Sequence, residues 1–172
     1  IGTEDNPVAI SSGYLANIRA AENIYLEKKT GDLLLNRIYA GEEVSLKSPD
    51  SIKGIQSGLS ILADKLKLYA GDSITGKGFE NNSIDTDSLE VELKTGKLYA
   101  EAEGELDISS SQSLTSDIIK ADKIDLLSLA VLNISNKISG RDVQLYANSI
   151  YEIDDKSTEG FIEAESLSAE SY

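Results

Sequence analysis

The side chains that most often carry enzymatic chemistry are scarce in this chain. Its 172 residues include no His and no Cys, which excludes Ser–His and Cys–His pairs, thiolate metal sites and disulfides. Carboxylates are plentiful by contrast, with 30 Asp and Glu against 16 Lys and Arg. Any acid–base or metal chemistry would therefore have to come from paired carboxylates.

The best-spaced carboxylates belong to Asp85 and Asp87, which would lie on the same side of an extended strand. Such a pair could hold Ca²⁺ or act as acid and base, and Glu42–Glu43 and Asp154–Asp155 are further acidic pairs. Close pairs are also expected on a solvated surface in so acidic a chain, and the positions 74 residues before Asp85 and Asp87 are not acidic. We predict no catalytic residue, no cofactor and no tightly bound metal, and therefore no enzyme, with Asp85 and Asp87 as the one candidate Ca²⁺ pair.

Tyrosines are the second group of candidate site residues. Each of them sits between two apolar residues of a triplet such as Leu-Tyr-Ala, and alternation along a strand would point it away from the core. A column of exposed rings could stack on sugars or on a neighbouring protein. Tyrosine is also a strong strand former whose ring covers adjacent backbone, and both interpretations stay open. The candidate ligand-binding residues are Tyr25, Tyr39, Tyr69, Tyr99 and Tyr146.

The elements that must position these side chains recur about every twenty residues. The repeated pattern is an apolar-x-small triplet followed by an apolar-x-apolar triplet, at 18–20 with 24–26 and again at 38–40 with 44–46. Alternation with a period of two is typical of β-strands, and no stretch shows the spacing of an amphipathic helix. Similar pairs of triplets begin at Ile61, Ile119, Ile138 and Ile162.

A longer repeat lies above the short one. Ile24 and Leu98 occupy matching positions 74 residues apart, and Ile61 and Ile138 match at a separation of 77. These shifts predict a single β-helical repeat domain that is a piece of a longer array. The domain spans 1–172, with long units at roughly 10–83 and 84–161 and a partial unit at 162–172.

Short strands at this spacing favour a parallel β-helix over the other all-β folds. A sandwich would place Asn-Gly or Asp-Gly turns between neighbouring strands, and neither dipeptide occurs. A propeller needs about 40 residues per blade with aromatic signatures that this chain lacks. We predict an all-β, single-stranded, right-handed parallel β-helix, or β-solenoid, of about eight coils of about 20 residues, with the serine-rich segment 109–113 as a loop or turn. Five leucines should share its core: Leu26, Leu46, Leu68, Leu126 and Leu145.

Four motifs carry a resemblance to a known family. They are Gly-Thr-Glu-Asp-Asn-Pro-Val at 2–8, Thr-Gly-Asp-Leu-Leu-Leu-Asn at 30–36, Ala-Gly-Glu-Glu-Val-Ser-Leu at 40–46 and Ala-Gly-Asp-Ser-Ile-Thr-Gly at 70–76. In this order they resemble the repeat regions of filamentous-haemagglutinin-type large exoproteins. The resemblance implies a β-helical shaft at a bacterial cell surface or secreted from it, exported by a two-partner outer-membrane route. It also implies a role in adhesion, haemagglutination or delivery of a distal domain.

Three functions stay open at this point. The first is a structural or adhesive shaft segment of a large extracellular or cell-surface protein. The second is an extracellular filament or sheath subunit that stacks end to end, and the third is a polysaccharide-active β-helix enzyme. The expected partners are further coils of the same polypeptide or end-to-end copies, which should cover both coil ends, and a glycan or protein receptor on a host or neighbouring cell.

Two partner classes are disfavoured by charge and hydropathy. The net charge is −14 and the chain has only three Arg, which argues against binding to a nucleic-acid backbone. No apolar stretch approaches the length that a bilayer-spanning helix needs. We therefore expect neither nucleic-acid binding nor membrane insertion.

Overall fold

The strands of the chain stack on their own counterparts in successive turns of the backbone. The computed structural model describes residues 1–11, 17–77, 88–153 and 162–171. It forms about seven turns of about 20 residues, and the described part contains no helix. Every pairing between the described strands is parallel. The predicted β-solenoid is confirmed, with about one coil fewer than the repeat suggested.

The strands are mostly short, because a corner of the coil follows within a few residues. In the described residues they are β1 (Val8–Ile10), β2 (Ile18–Ala20), β3 (Ile24–Lys28), β4 (Leu33–Leu35), β5 (Ile38–Ala40), β6 (Glu43–Ser48), β7 (Ile52–Gly54), β8 (Ile61–Ala63), β9 (Lys65–Ala70), β10 (Ile74–Thr75), β11 (Leu89–Leu93), β12 (Leu98–Glu101), β13 (Glu105–Ser110), β14 (Leu114–Lys120), β15 (Lys123–Ile134), β16 (Ile138–Ser139), β17 (Asp142–Glu152), β18 (Ile162–Glu163) and β19 (Ser166–Ser171).

Three faces run along the axis of the solenoid. Face 1 is the ladder of β1, β3, β6, β9 and β12, continued by β14, β16 and β18. Face 2 is the ladder of β4, β7, β10, β13, β15, β17 and β19. Face 3 is the ladder of β2, β5, β8 and β11. Later in the chain, the first residues of β14 and the last residues of β15 and β17 form a further parallel ladder. Each face presents alternate residues inward, so the three faces enclose one core.

The core consists of columns of like apolar residues. On face 2, Leu33, Ile52, Ile74, Leu106, Ile124 and Val143 follow one another coil by coil. None of the six is more than 1% exposed. Burying each such side chain contributes roughly 1.5–3 kcal/mol before the entropy of ordering is counted. All five leucines predicted to share a core belong to this single cluster.

Glycine at the corners lets successive coils approach closely. A Cβ on Gly41 would lie 1.8 Å from the backbone oxygen of Ala21, and one on Gly71 would lie 2.0 Å from that of Pro49. No other residue fits at such separations, because real Cβ atoms do not come so near a carbonyl. This contact gives a physical reason for the Ala-Gly pairs at 40–41 and 70–71.

The coil ladder explains the longer repeat in part. Ile24 and Leu98, which match at 74 residues, lie in the same column of face 1, joined through Val44 and Leu66. The shift of 74 therefore corresponds to three coil steps. The last of them is long because residues 78–87, outside the described part, fall within it.

The other long-range match does not join equivalent positions. Ile61 lies on face 3, where it pairs with Ile38, whereas Ile138 lies on face 1, where it pairs with Ile119. The pair of triplets marks a corner between faces 3 and 1 early in the chain and a corner between faces 1 and 2 later. The same pattern serves two corners because both need a small residue at the bend.

The serine-rich segment differs from its prediction as a loop. Ser109 and Ser110 are the last residues of β13 and are fully buried, and only 111–113 lie outside a strand. Their hydroxyls are tolerated inside because each has a partner: Ser88 Oγ donates to Ser109 Oγ at 2.6 Å, and the backbone N–H of Gln112 donates to Ser110 Oγ at 3.2 Å.

At the amino-terminal end of the solenoid, β1 and Ile1 lie against β3 on face 1. β1 pairs with β3, and the backbone N–H of Tyr25 donates to the oxygen of Ile1 at 2.9 Å. Leu26, in the column that Val8 begins, is consequently only 3% exposed, whereas Val8 itself is 43% exposed. That another coil or another copy covers this end stays a prediction.

The last described coil is open. β19 pairs with β17, and no strand of the described part lies on its other edge. Leu167 continues the face 2 column beyond Val143, yet 53% of it is exposed. An inward-facing residue and a row of backbone groups are thus left uncovered. The described part also holds no helix long and apolar enough to cross a membrane.

Candidate functional site: a tyrosine-lined groove on face 1

The candidate tyrosines do not form a single column. All five are half-buried and alternate with inward-facing neighbours, as strand geometry predicts. The coil register nevertheless distributes them over three faces, with Tyr25, Tyr69 and Tyr99 on face 1, Tyr39 on face 3 and Tyr146 on face 2.

The two tyrosines outside face 1 are engaged by side chains of the same chain. The guanidinium carbon of Arg19 lies 5.7 Å from the ring centroid of Tyr39, within the range of a cation–π contact. The Tyr146 hydroxyl donates to Gln144 Oε1 at 2.8 Å. These contacts fit the interpretation in which the ring covers its own strand.

On face 1 the rings support one another. The ring centroids of Tyr69 and Tyr99 are 5.2 Å apart with their planes tilted by 44°, and the Tyr99 hydroxyl donates to Glu101 Oε1 at 2.6 Å. Burial, followed by the neighbouring Glu101 carboxylate, raises the pKa of Tyr99. Burial also raises the pKa of Tyr69, so both phenols stay neutral at physiological pH. Tyr99 thereby supports the Tyr69 ring.

A groove lies between Tyr25 and Tyr69. In the strand register Tyr25 is followed by Ser45, and Lys47 is followed by Tyr69, so the two rings stand diagonally across two coils. Two coil steps place them roughly 10 Å apart along the axis. The small Ser45 side chain leaves a depression between them with a volume of about 300 Å³. We call this the tyrosine groove; it is lined by Pro7, Tyr25, Glu27, Ser45, Lys47 and Tyr69.

Residues 3–7, which we call the strap, border the groove on one side. The strap is a tight turn in which Thr3 and Asn6 exchange backbone hydrogen bonds of 3.1 Å. Glu4 reaches across to Lys67 at 2.5 Å, and Lys67 also contacts Glu43 at 3.0 Å. The hydrogen bond and charge of Glu4 raise the pKa of Lys67, and Lys67 in turn lowers the pKa of Glu4.

The strap begins at a position that requires glycine. Gly2 has a φ of 68°, in the left-handed region, and a Cβ there would lie 2.7 Å from the backbone oxygen of Tyr25. Both the dihedral angle and the close approach disfavour any other residue. Gly2 therefore sets the path that brings Pro7 to the edge of the groove.

The charges around the groove are largely compensated. Glu4 is paired with Lys67, and Glu27 is paired with Lys29. No described carboxylate forms a salt bridge with Lys47, whose exposed ammonium stands beside the floor of the groove. The groove thus presents aromatic walls, a hydroxyl, a carboxylate and a cation to solvent.

The acidic pairs do not form a second site in the described part. Asp85 and Asp87 lie outside the described residues, as do Asp154 and Asp155. Glu43 of the remaining pair accepts ion pairs from Lys65 at 3.3 Å and from Lys67. Within the described ranges, no three His, Cys, Asp or Glu residues come close enough to hold a metal ion.

Glu90 is a titratable residue that the sequence did not single out. It is 4% exposed, and among the described residues nothing hydrogen-bonds its Oε2. Burial, with a smaller contribution from Glu92, raises the pKa of Glu90 to about 7. The one sequence signal that could have revealed Glu90 was its place between two apolar residues, Leu89 and Val91. Both of these are fully buried in the structure.

A larger hollow follows the corner between faces 1 and 2. It has a volume of about 580 Å³ and is lined mainly by small side chains such as Ala102, Ala121 and Gly140, with charged residues at the rim. Arg141 at that rim is already paired with Asp122 and Asp142, both at 3.1 Å. Because it offers no aromatic surface, the tyrosine groove is the better candidate site.

Comparison of the chain with protein-family models, with curated proteins and with solved structures finds no significant match. The class that its architecture defines is the β-solenoid, built from parallel strands in stacked coils. The resemblance to filamentous-haemagglutinin-type exoproteins stays a prediction from the sequence motifs.

Proposed function

We propose that this chain is a structural and adhesive shaft segment of a large bacterial surface or secreted protein. It acts as a stiff spacer that presents outward faces for attachment and holds a distal part away from the cell. The observation that supports this most directly is the unbroken face 2 column, in which Leu33 to Val143 stay buried through every coil.

A solenoid of this kind suits a spacer because its length follows from the number of coils. Each coil contacts mainly its neighbours and adds about 4.8 Å, so about seven coils give a rod of roughly 34 Å. The net charge of −14 disfavours lateral association between rods. Outward side chains remain free to vary because the core columns alone hold the coils together.

Deleting one coil tests the spacer role. Removing residues 124–142 joins positions that are equivalent in consecutive coils of face 2. We expect this variant to stay folded and its maximum dimension in small-angle X-ray scattering to shrink by about 5 Å. Removing residues 124–133, half a coil, is the control and should unfold the following coils because their strands would no longer stack on their counterparts. A folded half-coil variant, or an unfolded whole-coil variant, would contradict the modular rod.

Location is tested separately by antibody labelling of the source cells. A shaft segment should be labelled on intact bacteria or recovered from the medium. Labelling that appears only after lysis would contradict a surface or secreted role.

End-to-end assembly is a second candidate, favoured by the exposed Leu167 on the open edge of β19. Two copies would join through their β19 edges. Sedimentation of the chain at increasing concentration should then show a dimer, and Leu167→Lys should abolish it. A strictly monomeric chain would contradict assembly through this edge.

A further inference from the structure

We propose that the tyrosine groove is a carbohydrate-binding site that takes one neutral pyranose unit of a glycan. The inference rests on the attachment part of the proposed function and names the class of ligand. It is carried by the placement of two aromatic walls, a small floor and a few polar groups around a single depression.

The walls suit the flat apolar face of a sugar ring. The C–H groups of a pyranose pack on aromatic rings, and tyrosine offers such a ring together with a hydroxyl at its edge. Tyr25 and Tyr69 face the same depression from opposite sides, across the strand that carries Ser45. Tyr99 supports the Tyr69 ring at 5.2 Å, so less ordering is needed when a ligand binds.

The floor and rim supply both kinds of hydrogen-bonding group that sugar hydroxyls require. Ser45 can donate or accept, the Lys47 ammonium donates, and the Glu27 carboxylate accepts. Small-molecule sites commonly combine a stacking surface with a few convergent polar groups of this kind. Among the described residues, no comparable set surrounds Tyr39 or Tyr146. The ring of Tyr39 is engaged by Arg19, and the hydroxyl of Tyr146 is bound by Gln144.

Size and charge narrow the ligand further. A volume of about 300 Å³ lies at the lower limit for small-molecule pockets, and the strap borders one side, so the groove holds one sugar unit. The lining carboxylates of Glu4 and Glu27 are each paired with a lysine, and the lining cation Lys47 forms no salt bridge with a described carboxylate. The net charge of −14 disfavours the approach of an anionic sugar to the protein as a whole, and we therefore expect a neutral pyranose.

Saturation-transfer NMR with simple glycosides tests the proposal. The probes are the methyl glycosides of glucose, galactose, mannose and N-acetylglucosamine, with methyl glucuronide as the charged comparison. We expect at least one neutral glycoside to bind with a dissociation constant in the range of about 1–10 mM, as a ligand of this size can reach. Transfer should be strongest to the hydrogens of the sugar's apolar face.

The chain offers matched controls for the walls. Tyr25→Ala and Tyr69→Ala should each weaken binding by at least about tenfold, because each removes a stacking surface. Tyr39→Ala and Tyr146→Ala remove tyrosines from equivalent triplets on the other faces and should leave binding unchanged. Tyr69→Phe keeps the ring and should bind within about threefold of the original, which separates stacking from misfolding.

Several outcomes would overturn the proposal. They are no transfer from any neutral glycoside at tens of millimolar, a preference for the glucuronide, or an equal loss of binding in Tyr146→Ala. Scattering and surface labelling measure the shaft role without any sugar. A rod that passes those tests but binds no glycoside would overturn the ligand and leave the proposed function standing.

Discussion

The two ends of the rod contain the same kind of inward residue in opposite surroundings. Leu26 lies beside β1 on face 1 and is 3% exposed, whereas Leu167 ends the described column of face 2 and is 53% exposed. At the first end, β1 and residues 1–2 lie against β3. At the other end, nothing in the described part covers β19.

The comparison teaches that inward pattern and burial are separate properties in a solenoid. A residue in the core column is buried only if a coil lies on each side of it, because each coil contacts chiefly its neighbours. Stability should therefore be high in the middle, retained where β1 and residues 1–2 lie against β3, and low at the open end. Three experiments test this order.

The largest effect is expected from truncating a leucine in the middle of the column. Leu106→Ala removes a fully buried side chain and should lower the free energy of unfolding by about 3 kcal/mol. Leu167→Ala makes the same chemical change in the same column at the open end, and should cost less than about 1 kcal/mol. Urea denaturation followed by circular dichroism measures both. Equal losses would mean that the open end is covered in solution.

A nearly equal effect on the free energy of unfolding is expected from a change of pH, which acts through Glu90 in the middle of the rod. The folded pKa of Glu90, about 7, lies above its unfolded value of 4.5, so the folded state keeps a proton that the unfolded state releases. The contribution of Glu90 to stability is therefore largest at and below pH 4.5, falls as pH rises to about 7, and is level above that. The total loss should be about 3 kcal/mol.

Urea midpoints between pH 4.5 and 8 check this dependence. Glu90→Gln should abolish its share of the loss, because an amide does not ionise, whereas Glu92→Gln at the half-buried neighbour should leave most of it. If Glu90→Gln leaves the pH profile unchanged, the Glu90 carboxyl is solvated. The middle of the rod would then owe none of its pH dependence to this residue.

The smallest effect on the free energy of unfolding is expected at the amino-terminal end, where residues 1–2 lie against β3. Gly2→Ala should cost about 1–2 kcal/mol, because it meets both an unfavourable φ and the oxygen of Tyr25 at 2.7 Å. Gly31→Ala is the matched control, since Gly31 has a φ of 74° but nothing within 4 Å of the added Cβ. Hydrogen exchange at the Tyr25 amide should accelerate in the first variant alone. Equal exchange in both would mean that residues 1–2 do not protect β3.

The fold could be predicted from the sequence because its determinants are local and repeated. Alternation within each triplet defines the strands, and recurrence at about twenty residues defines the coils, which was enough to place Leu46 and Leu126 in one core. The face of a given triplet could not be predicted, because the corner between faces 3 and 1 and the corner between faces 1 and 2 each use a small residue. Ile61 and Ile138 were matched for that reason, although they lie on different faces.

The candidate site was only half accessible to sequence reasoning. Triplet alternation correctly turned Tyr25 and Tyr69 outward, but coil steps of unequal length decided which tyrosines share a face. The strap could not be foreseen, since Glu4 and Lys67 are 63 residues apart and no repeat spacing relates them. Glu90 escaped notice because an acid in an acidic chain carries no signal until its burial is known.

The direction of the coil-to-coil hydrogen bonds has a mechanical consequence. These bonds run from each coil to the next, slanted to the strands but mainly along the rod axis, so tension applied to the two ends loads the coils in series. The breaking force of such a series is set by its weakest link rather than by the sum of its links. On face 2 that link is β10, where only Ile74–Thr75 form a strand and Ile74 alone is in register with Leu106. Under load, face 2 should part at this step first, while the long strands β15 and β17 stay joined.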